Sequence, residues 1–283
     1  MDRLEQVARG FSFAEGPRWH DGAVYLSNIH DDAIERVEVD GTVTRVADLP
    51  GSPISMGFAS DGSILVSALR GGRIWQIVDG EVSDFRDVSS LADDDFGDIV
   101  VDGQDRIYLA NQGMQYPTRI PEQIDSAIFL LTPDGGAREV ARGFDYANGL
   151  AITPDGTRLI VAESFGHRLF ALSIRDDGSL DDRRQIAQFD DSARPDGICC
   201  DADGAVWTAN ATSREVVRCT LEGVVTHRIS TGSALAIGCI LGGEDGHDLY
   251  ITTATTALRD EARATRQSAL WRTRTDVPAG GRP

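Results

Sequence analysis

One ten-residue segment occurs twice in this chain, once near the start and again in the middle. Residues 7–16 read VARGFSFAEG and residues 140–149 read VARGFDYANG, with seven of the ten positions identical. Self-similarity of this kind indicates a repeat architecture, in which each unit buries its apolar face against the next. The main difference is Glu15 against Asn148. Both side chains carry hard oxygen donors, so the repeat predicts a site that is assembled from equivalent positions of several units.

A second series of short motifs sets the number of units. Six Asp-Gly pairs each lead into a run of aliphatic, aromatic or β-branched residues, and they begin at Asp21, Asp61, Asp102, Asp155, Asp203 and Asp245. Asp-Gly between strand-like runs is a strong hairpin signal, and a period of about 40 to 50 residues is typical of a propeller blade. Further turns lie between them at Asp40-Gly41, Asp79-Gly80, Asp134-Gly135, Asp177-Gly178 and Glu222-Gly223. Two hairpins per unit predict an all-β, six-bladed β-propeller with four-stranded antiparallel blades, formed as a single domain by residues 1–283.

Three stretches depart from the simple repeat. Residues 112–126 are an insertion, which we expect to wall the channel, the alternative being a surface excursion. Residues 257–267 are rich in alanine and charge and are the one stretch that could hold a helical turn. The run 269–273 is predicted to be a closing strand beside the N-terminal residues, because ring closure removes the exposed sheet edge.

Composition narrows the classes of partner. The formal net charge is −18, which argues against nucleic acid and against anionic membrane surfaces. All 27 basic residues are arginine, so no lysine is present for a Schiff base or a phosphate-binding loop. The N-terminal residues show no apolar run of the signal-peptide type, and no stretch approaches the length of a membrane span. We therefore expect a cytoplasmic protein with a small-molecule substrate, a monomer by default with a dimer as the alternative.

The chemistry is expected where the innermost strands begin. Aligning the units there gives one column, Glu15-Gly16, Met56-Gly57, Gly97-Asp98, Asn148-Gly149 and Asp196-Gly197. A glutamate, an asparagine and an aspartate that converge on the channel favour a hard divalent cation, with Ca²⁺ preferred over Mg²⁺, Mn²⁺, Zn²⁺ or Fe²⁺. The alternative is that Glu15 pairs with an arginine and the other two serve turns. Against it, Asn148 and Asp196 both precede a glycine and an aliphatic residue, a register that turns do not require.

These motifs resemble those of the regucalcin/gluconolactonase (senescence marker protein) family of six-bladed propellers. The likeness covers essentially the whole chain and lies in residues 13–19 (FAEGPRW), 148–151 (NGLA), 194–197 (RPDG), and 270–272 (LWR) before Val277-Pro278. It implies that Glu15, Asn148 and Asp196 bind a divalent cation and that the protein hydrolyses a lactone. One position departs from the family pattern, because Gly97 stands before Asp98 where an asparagine is usual. Either Asp98 or a residue of the inserted loop compensates, or the substrate differs from a simple aldonolactone, which we favour.

The predicted activity is divalent-metal-dependent lactone hydrolysis. The metal would polarise the lactone carbonyl, and Asp196 would act as the catalytic base that activates water. Two alternatives remain open: a non-hydrolytic enzyme that forms or isomerises a ring, which Gly97 favours, and a non-catalytic calcium-binding propeller.

Substrate contacts are expected at the ends of the second strands and in the loops at the same end of the channel. The candidates are Asn28, His30, Arg70, Asp98, Asn111, Met114, Tyr116 and Phe165. Each has an alternative role as an ordinary surface or turn residue.

Overall fold

The computed structural model describes residues 4–115 and 121–282 and consists almost entirely of strands. The strands in chain order are β1 (Glu5–Phe11), β2 (Ala14–His20), β3 (Ala23–Asn28), β4 (Ala33–Val37), β5 (Val43–Asp48), β6 (Pro53–Phe58), β7 (Ile64–Ala68), β8 (Arg73–Val78), β9 (Glu81–Asp87), β10 (Phe96–Val101), β11 (Ile107–Asn111), β12 (Ser126–Leu131), β13 (Ala137–Phe144), β14 (Ala147–Ile152), β15 (Arg158–Glu163), β16 (Arg168–Ile174), β17 (Leu180–Gln188), β18 (Pro195–Cys200), β19 (Val206–Asn210), β20 (Glu215–Cys219), β21 (Val225–Ser230), β22 (Leu235–Gly242), β23 (Asp248–Ala254) and β24 (Ser268–Arg274). A 3-10 turn spans Ile29–Asp31, and one helix, α1, spans Arg259–Thr265.

These strands form six four-stranded antiparallel sheets, which confirms the predicted six-bladed propeller. Blades one to five are built from consecutive strands, beginning with β2, β6, β10, β14 and β18. Blade six has the order β22, β23, β24, β1, so the N-terminal strand is its outermost member. The pairing of β24 with β1, from Glu5 opposite Arg272 to Phe11 opposite Ser268, confirms the predicted closing strand.

The Asp-Gly pairs lie where the hairpins were predicted. The first series joins the first and second strands of each blade, and the second series joins the third and fourth strands. Gly22 and Gly41 have φ angles of 76° and 87°, in the left-handed region where a side chain is disfavoured. In blade three the left-handed residue is Asp105, with φ at 57°, instead of the glycine of the pair.

The core lies between neighbouring blades. Trp207, Tyr108 and Tyr250 are among the largest fully buried side chains. The adjacent thiols Cys199 and Cys200 belong to two different buried clusters, because successive strand residues point to opposite faces of the sheet. All four cysteines are free and buried. Among the helices of the described residues, none has the length and apolar character needed to cross a membrane.

Candidate metal and substrate site

The second residue of each innermost strand contributes to one ring at the end of the channel. In the described structure these residues are Glu15, Ile54, Gly97, Asn148, Asp196 and Ala236. The register corrects one member of the predicted column: Pro53 pairs with Ala68 as Ala14 pairs with Asn28, so Ile54 takes the position that we had assigned to Met56. Blade six contributes Ala236, which the sequence pattern did not identify, because no glycine follows it.

Every innermost strand is irregular close to this ring. A shift in register follows the first one or two residue pairs in all six, for example between Ala147 and Leu150 in β14 and between Pro195 and Ile198 in β18. Such bulges turn side chains away from the regular alternation, and they are common next to active sites. Here they contain Asn148 and Asp196.

A glycine follows each of the three predicted ligands, and packing between blades explains it. A Cβ atom on Gly16 would lie 2.7 Å from the Ile54 carbonyl oxygen of blade two. One on Gly197 would lie 2.7 Å from the Cα of Gly238 in blade six, and one on Gly149 would collide with the carbonyl oxygen of Asp196. The glycines therefore allow the strands that carry Glu15, Asn148 and Asp196 to approach their neighbours closely.

Glu15 and Asp196 form an acidic pair whose charges oppose each other. Burial and the nearby carboxylates of Asp196 and Asp98 raise the pKa of Glu15 well above its ordinary value. Burial also raises the pKa of Asp196, to about 8, against a hydrogen bond from Asn148 that lowers it. Glu15 Oε2 is buried and has no hydrogen-bond partner among the described residues. Without a positive charge between them, these carboxylates are unfavourable as a doubly ionised pair.

Asn148 is held in place by blade four. Its Nδ2 donates to Ser164 Oγ at 3.1 Å, and Ser164 Oγ donates to the Pro195 carbonyl oxygen at 2.6 Å. This chain of bonds ties Asn148 to the residue before Asp196, and the same side-chain amide also donates to the Asp196 carboxylate. Ser164 is a positioning residue that the sequence analysis missed. The one sequence feature that could have identified Ser164 is its position directly after the second strand of blade four.

Asp98 lies beside this group but is occupied by protein contacts. One of its oxygens, Oδ1, accepts from Arg18 Nη2 at 2.5 Å and from Ser55 Oγ, and Oδ2 accepts from the Leu150 backbone N–H at 2.8 Å. Arg18 also donates to the carbonyl oxygens of Met56 and Ile99. We call Arg18, Ser55 and Asp98 the arginine cluster. It joins blades one to four, because the Leu150 backbone also bonds Asp98, and the predicted contact of Asp98 with substrate stays a prediction.

A cavity of about 270 Å³ lies at the same end of the channel. It is lined by Ile29, His30, Ser52, Ile54, Leu69, Arg70, Asp95, Gln112, Tyr146, Ala257, Leu258 and Arg259. His30 and Arg70 were predicted as walls. The start of α1 and residue 112 of the inserted loop complete the wall, which gives a role to both stretches that depart from the repeat.

His30 presents a neutral ring to this cavity. Burial lowers its pKa, and this outweighs a hydrogen bond to the Ala257 carbonyl. Its Nε2 atom is buried without a hydrogen-bond partner among the described residues. The ring stands 5.4 Å from that of Phe13, next to Ala14 and Glu15. The wall of the cavity therefore contains one ring nitrogen that the described protein groups leave unpaired.

The remaining predicted contacts lie elsewhere. Phe165 lines a second, wider cavity of about 600 Å³ together with His167, Arg168 and Arg194. Asn111 is buried, donating to the Asp95 carbonyl and accepting from the Gly113 N–H. Tyr116 lies outside the described residues, and its role stays a prediction.

Asn28 and Met114 also serve the fold. Asn28 Oδ1 accepts from the Ser12 N–H and hydroxyl groups, and Met114 is fully buried, with its carbonyl oxygen accepting from the Asp95 N–H.

The donor set fits a hard divalent cation. Within residues 4–115 and 121–282, no group of three or more His, Cys, Asp or Glu side chains is placed to hold a metal ion. The predicted set contains two carboxylates, and its third member is an amide. Glu15 Oε2, buried and without a described partner, together with the raised pKa values of both carboxylates, is what a cation between Glu15, Asn148 and Asp196 would relieve.

The sequence from Phe13 to Thr255 matches the family described as the SMP-30/gluconolactonase/LRE-like region. The chain belongs to this family. The match covers all six ring positions, and it confirms the predicted resemblance.

Known relatives in the family carry lactonase or regucalcin names. A pentonolactonase of Haloferax volcanii is 26% identical over 284 residues, which cover 95% of this chain and 92% of the relative. A regucalcin of Danio rerio is 29% identical over 180 residues, 62% of this chain and 59% of the relative. A solved gluconolactonase structure from Xanthomonas campestris shares the fold, with a TM-score of 0.79, 23% identity, and coverage of 98% of this chain and 90% of that one.

Proposed function

We propose that this protein is a divalent-metal-dependent lactone hydrolase. The observation that carries the proposal is the pair of buried, mutually repelling carboxylates with Asn148 beside it, at the mouth of a propeller channel that opens next to a cavity. Relatives named as lactonases, two of them aligned over nearly the whole chain, support the reaction class. The metal, the role of Asp196 and the substrate belong to the proposal.

Each residue has a distinct part in this hydrolysis. Glu15, Asn148 and Asp196 would hold the cation, which supplies Lewis-acid polarisation of the lactone carbonyl. The second carboxylate oxygen of Asp196 orients a water molecule and takes its proton as the water oxygen attacks the carbonyl carbon. The bond between that carbon and the ring oxygen then breaks, and the proton passes from Asp196 to the departing oxygen. The product is an open-chain hydroxy acid, which releases one proton to solvent at neutral pH.

A second candidate is a calcium-binding propeller without turnover. The regucalcin relatives and a solved structure titled as a calcium-binding regucalcin from Agrobacterium tumefaciens favour it. In this case the same three ligands would hold a structural ion. Variants of Asp196 would then change metal affinity and stability only.

The test is proton release from lactones by metal-stripped protein that is resupplied with Ca²⁺, Mg²⁺, Mn²⁺ or Zn²⁺ separately. We expect one ion to restore turnover, and Asp196→Asn to lower kcat by about 10³-fold or more while metal binding is weakened far less. Exposed Asp191 provides the matched control, since Asp191→Asn should leave kcat unchanged. Full turnover by Asp196→Asn would remove the base assignment. Tight stoichiometric calcium binding without turnover of any lactone would favour the binding propeller.

A further inference from the structure

We propose that the substrate is a lactone whose ring carries an apolar substituent, and that this substituent lies in the 270 Å³ cavity while Gln112 hydrogen-bonds the polar part of the ring. The inference rests on the proposed lactone hydrolysis and specifies its substrate class. It follows from the composition of the cavity wall and from the side chain that lies beside Gly97.

Glu15 and Asp196, which we call the acidic centre, adjoin the cavity through the ring formed by the second residues of the innermost strands. Ile54 lines the cavity and holds the same ring position in blade two as Glu15 holds in blade one. Tyr146, two residues before Asn148, lines it from blade four. Tyr146 has a φ of 69°, an uncommon conformation for a bulky residue and one that is typical of functional sites. A substrate at the acidic centre therefore meets the cavity wall directly.

Most of that wall is apolar. Ile29, Ile54, Leu69 and Leu258 supply aliphatic side chains, and Tyr146 supplies an aromatic ring. Leu258 is 59% exposed at the outer rim, an unusual place for a leucine unless something covers it. The volume is at the small end of ligand cavities, which run from roughly 300 to 1,000 Å³. The wall suits a short alkyl chain or one aromatic ring.

The charged groups of the wall are already engaged within the protein, which disfavours a polyhydroxylated ring. Arg259 is paired with Asp32 at 3.0 Å, and Arg70 and Asp95 each interact with other protein groups. His30 is neutral and offers one nitrogen. Each hydroxyl group that lost water without gaining a partner here would weaken binding. An alkyl substituent carries no such penalty and gains from its burial.

The side chain of Gln112 lies next to the position that a side chain on Gly97 would take. A Cβ atom on Gly97 would lie 3.5 Å from Gln112 Cγ and 3.6 Å from Gln112 Nε2. Gln112 is only 3% exposed, and it lines the cavity. It therefore provides one donor and one acceptor at the edge of the cavity, close to where a side chain on residue 97 would extend. This is the compensation by the inserted loop that the sequence left open.

The wider cavity beside Phe165 is less suited to the substrate. Its cations are already engaged: Arg168 pairs with buried Glu163, and Arg194 donates to the Ser164 carbonyl and to the His167 ring. The Arg194 guanidinium also stacks on Phe165, 4.7 Å from the ring centroid. Among the described residues that line this cavity, each arginine already has a protein partner. The cavity therefore offers no arginine that is available to an anionic or polyhydroxylated ligand.

The test compares δ-valerolactone, its alkyl-substituted homologues and D-glucono-δ-lactone by proton release, using the protein loaded with whichever ion gives turnover. We expect kcat/KM to rise by about three- to fourfold with each added methylene group until the cavity is full. Leu69→Ser and Leu258→Ser should each reduce this gain by several-fold for the alkyl lactones, with a smaller loss for δ-valerolactone. Val78→Ser, an exposed apolar position at the opposite end of blade two, is the matched control.

Gln112 has its own readout. Gln112→Met keeps the length of the side chain and removes its amide, so kcat/KM should fall by about tenfold for δ-valerolactone and alkyl lactones alike. Thermal unfolding of each variant distinguishes this loss from a folding defect.

Each negative result of these experiments would point to a different conclusion. Preference for glucono-δ-lactone over every alkyl lactone would overturn the inference and leave the hydrolase standing. An alkyl preference that Leu69→Ser and Leu258→Ser do not change would overturn the placement in this cavity. Absence of hydrolysis of any lactone with any ion would overturn both the inference and the proposed function.

Discussion

Two buried polar groups lie side by side at one end of this propeller, and they differ in how their charges are balanced. In the arginine cluster, both oxygens of Asp98 are bonded, and Arg18 donates to four acceptors in the two blades next to its own, blades two and three. In the acidic centre, Glu15 Oε2 has no partner among the described residues, and Asp196 faces further negative charge.

This difference in charge balance is the one expected between a structural group, such as the arginine cluster, and a binding or catalytic site. A buried ion pair whose hydrogen bonds are satisfied fixes how the blades fit together, and it leaves no unpaired polar atom for a ligand. Buried carboxylates that repel each other are unfavourable until a cation or protons balance them. Such imbalance is typical of a binding or catalytic site. We therefore interpret Asp98 as a scaffold residue beside the proposed site.

Replacement of Arg18 should have the largest effect on stability of the changes considered for these two groups. Arg18→Met would leave Asp98 buried, charged and next to Glu15, so we expect the free energy of unfolding to fall by roughly 3–5 kcal/mol. Urea unfolding of the metal-free protein measures this change. The double variant Arg18→Met/Asp98→Leu removes both charges, and it should recover a large part of the loss.

A different outcome would change the assignment. If Arg18→Met abolished lactone turnover while the unfolding free energy stayed constant, Arg18 would be a substrate contact and the arginine cluster would not be structural. Arg36, a half-buried arginine on the outer side of blade one, is the control, and Arg36→Met should cost about 1 kcal/mol or less.

The pH dependence of stability gives a second, smaller effect. Asp196 has an ordinary pKa of 3.8 and a folded-state pKa of about 8, so between these values the native metal-free protein binds more protons than the unfolded chain. Stability must therefore fall as pH rises through this window, by up to about 1.4 kcal/mol per pH unit for each extra proton held. Glu15, whose pKa is also raised, acts in the same direction.

Unfolding at pH 5, 6, 7 and 8 in chelator, and again with the activating ion, checks the sign. The bound ion keeps the native carboxylates ionised, so the fall should disappear in its presence and metal affinity should rise with pH. Asp196→Asn should flatten the curve of the metal-free protein. An equal fall in Asp196→Asn and in the parent would show that other groups cause it.

The sequence was sufficient for the architecture and for four of the six ring positions, Glu15, Gly97, Asn148 and Asp196. Asp-Gly hairpins and alternating apolar residues are local signals, and they placed all six blades and the closing strand. Glu15, Asn148 and Asp196 were found because each precedes a glycine that packing between neighbouring strands requires.

Other parts of the site carry no local signal. The pairing of Arg18 with Asp98 joins residues 80 positions apart in blades one and three. Gln112 lies beside Gly97 because β11 pairs with β10, with Asn111 opposite Phe96. Leu258 reaches the cavity because blade six closes beside blade one. Such contacts depend on how the strands and blades pack, which no short motif records. Similarly, Ile54 replaced Met56 in the column because a bulge shifts the register of β6.

Gly97 provides the smallest and sharpest test. It has no positive φ, and a Cβ atom there would make ordinary contacts at 3.5 Å with Ala110 and Gln112, so Gly97→Ala should stabilise the protein by about 0.5–1 kcal/mol. Gly149→Ala, which places a methyl group against the Asp196 carbonyl oxygen, should instead destabilise it. Gly97→Asn should keep the fold but compete with the Gln112 amide, lowering kcat/KM for alkyl lactones several-fold. If Gly97→Ala were as destabilising as Gly149→Ala, blade three would pack as tightly as its neighbours, and there would be no room beside Gly97 for the side chain of Gln112 to serve the substrate.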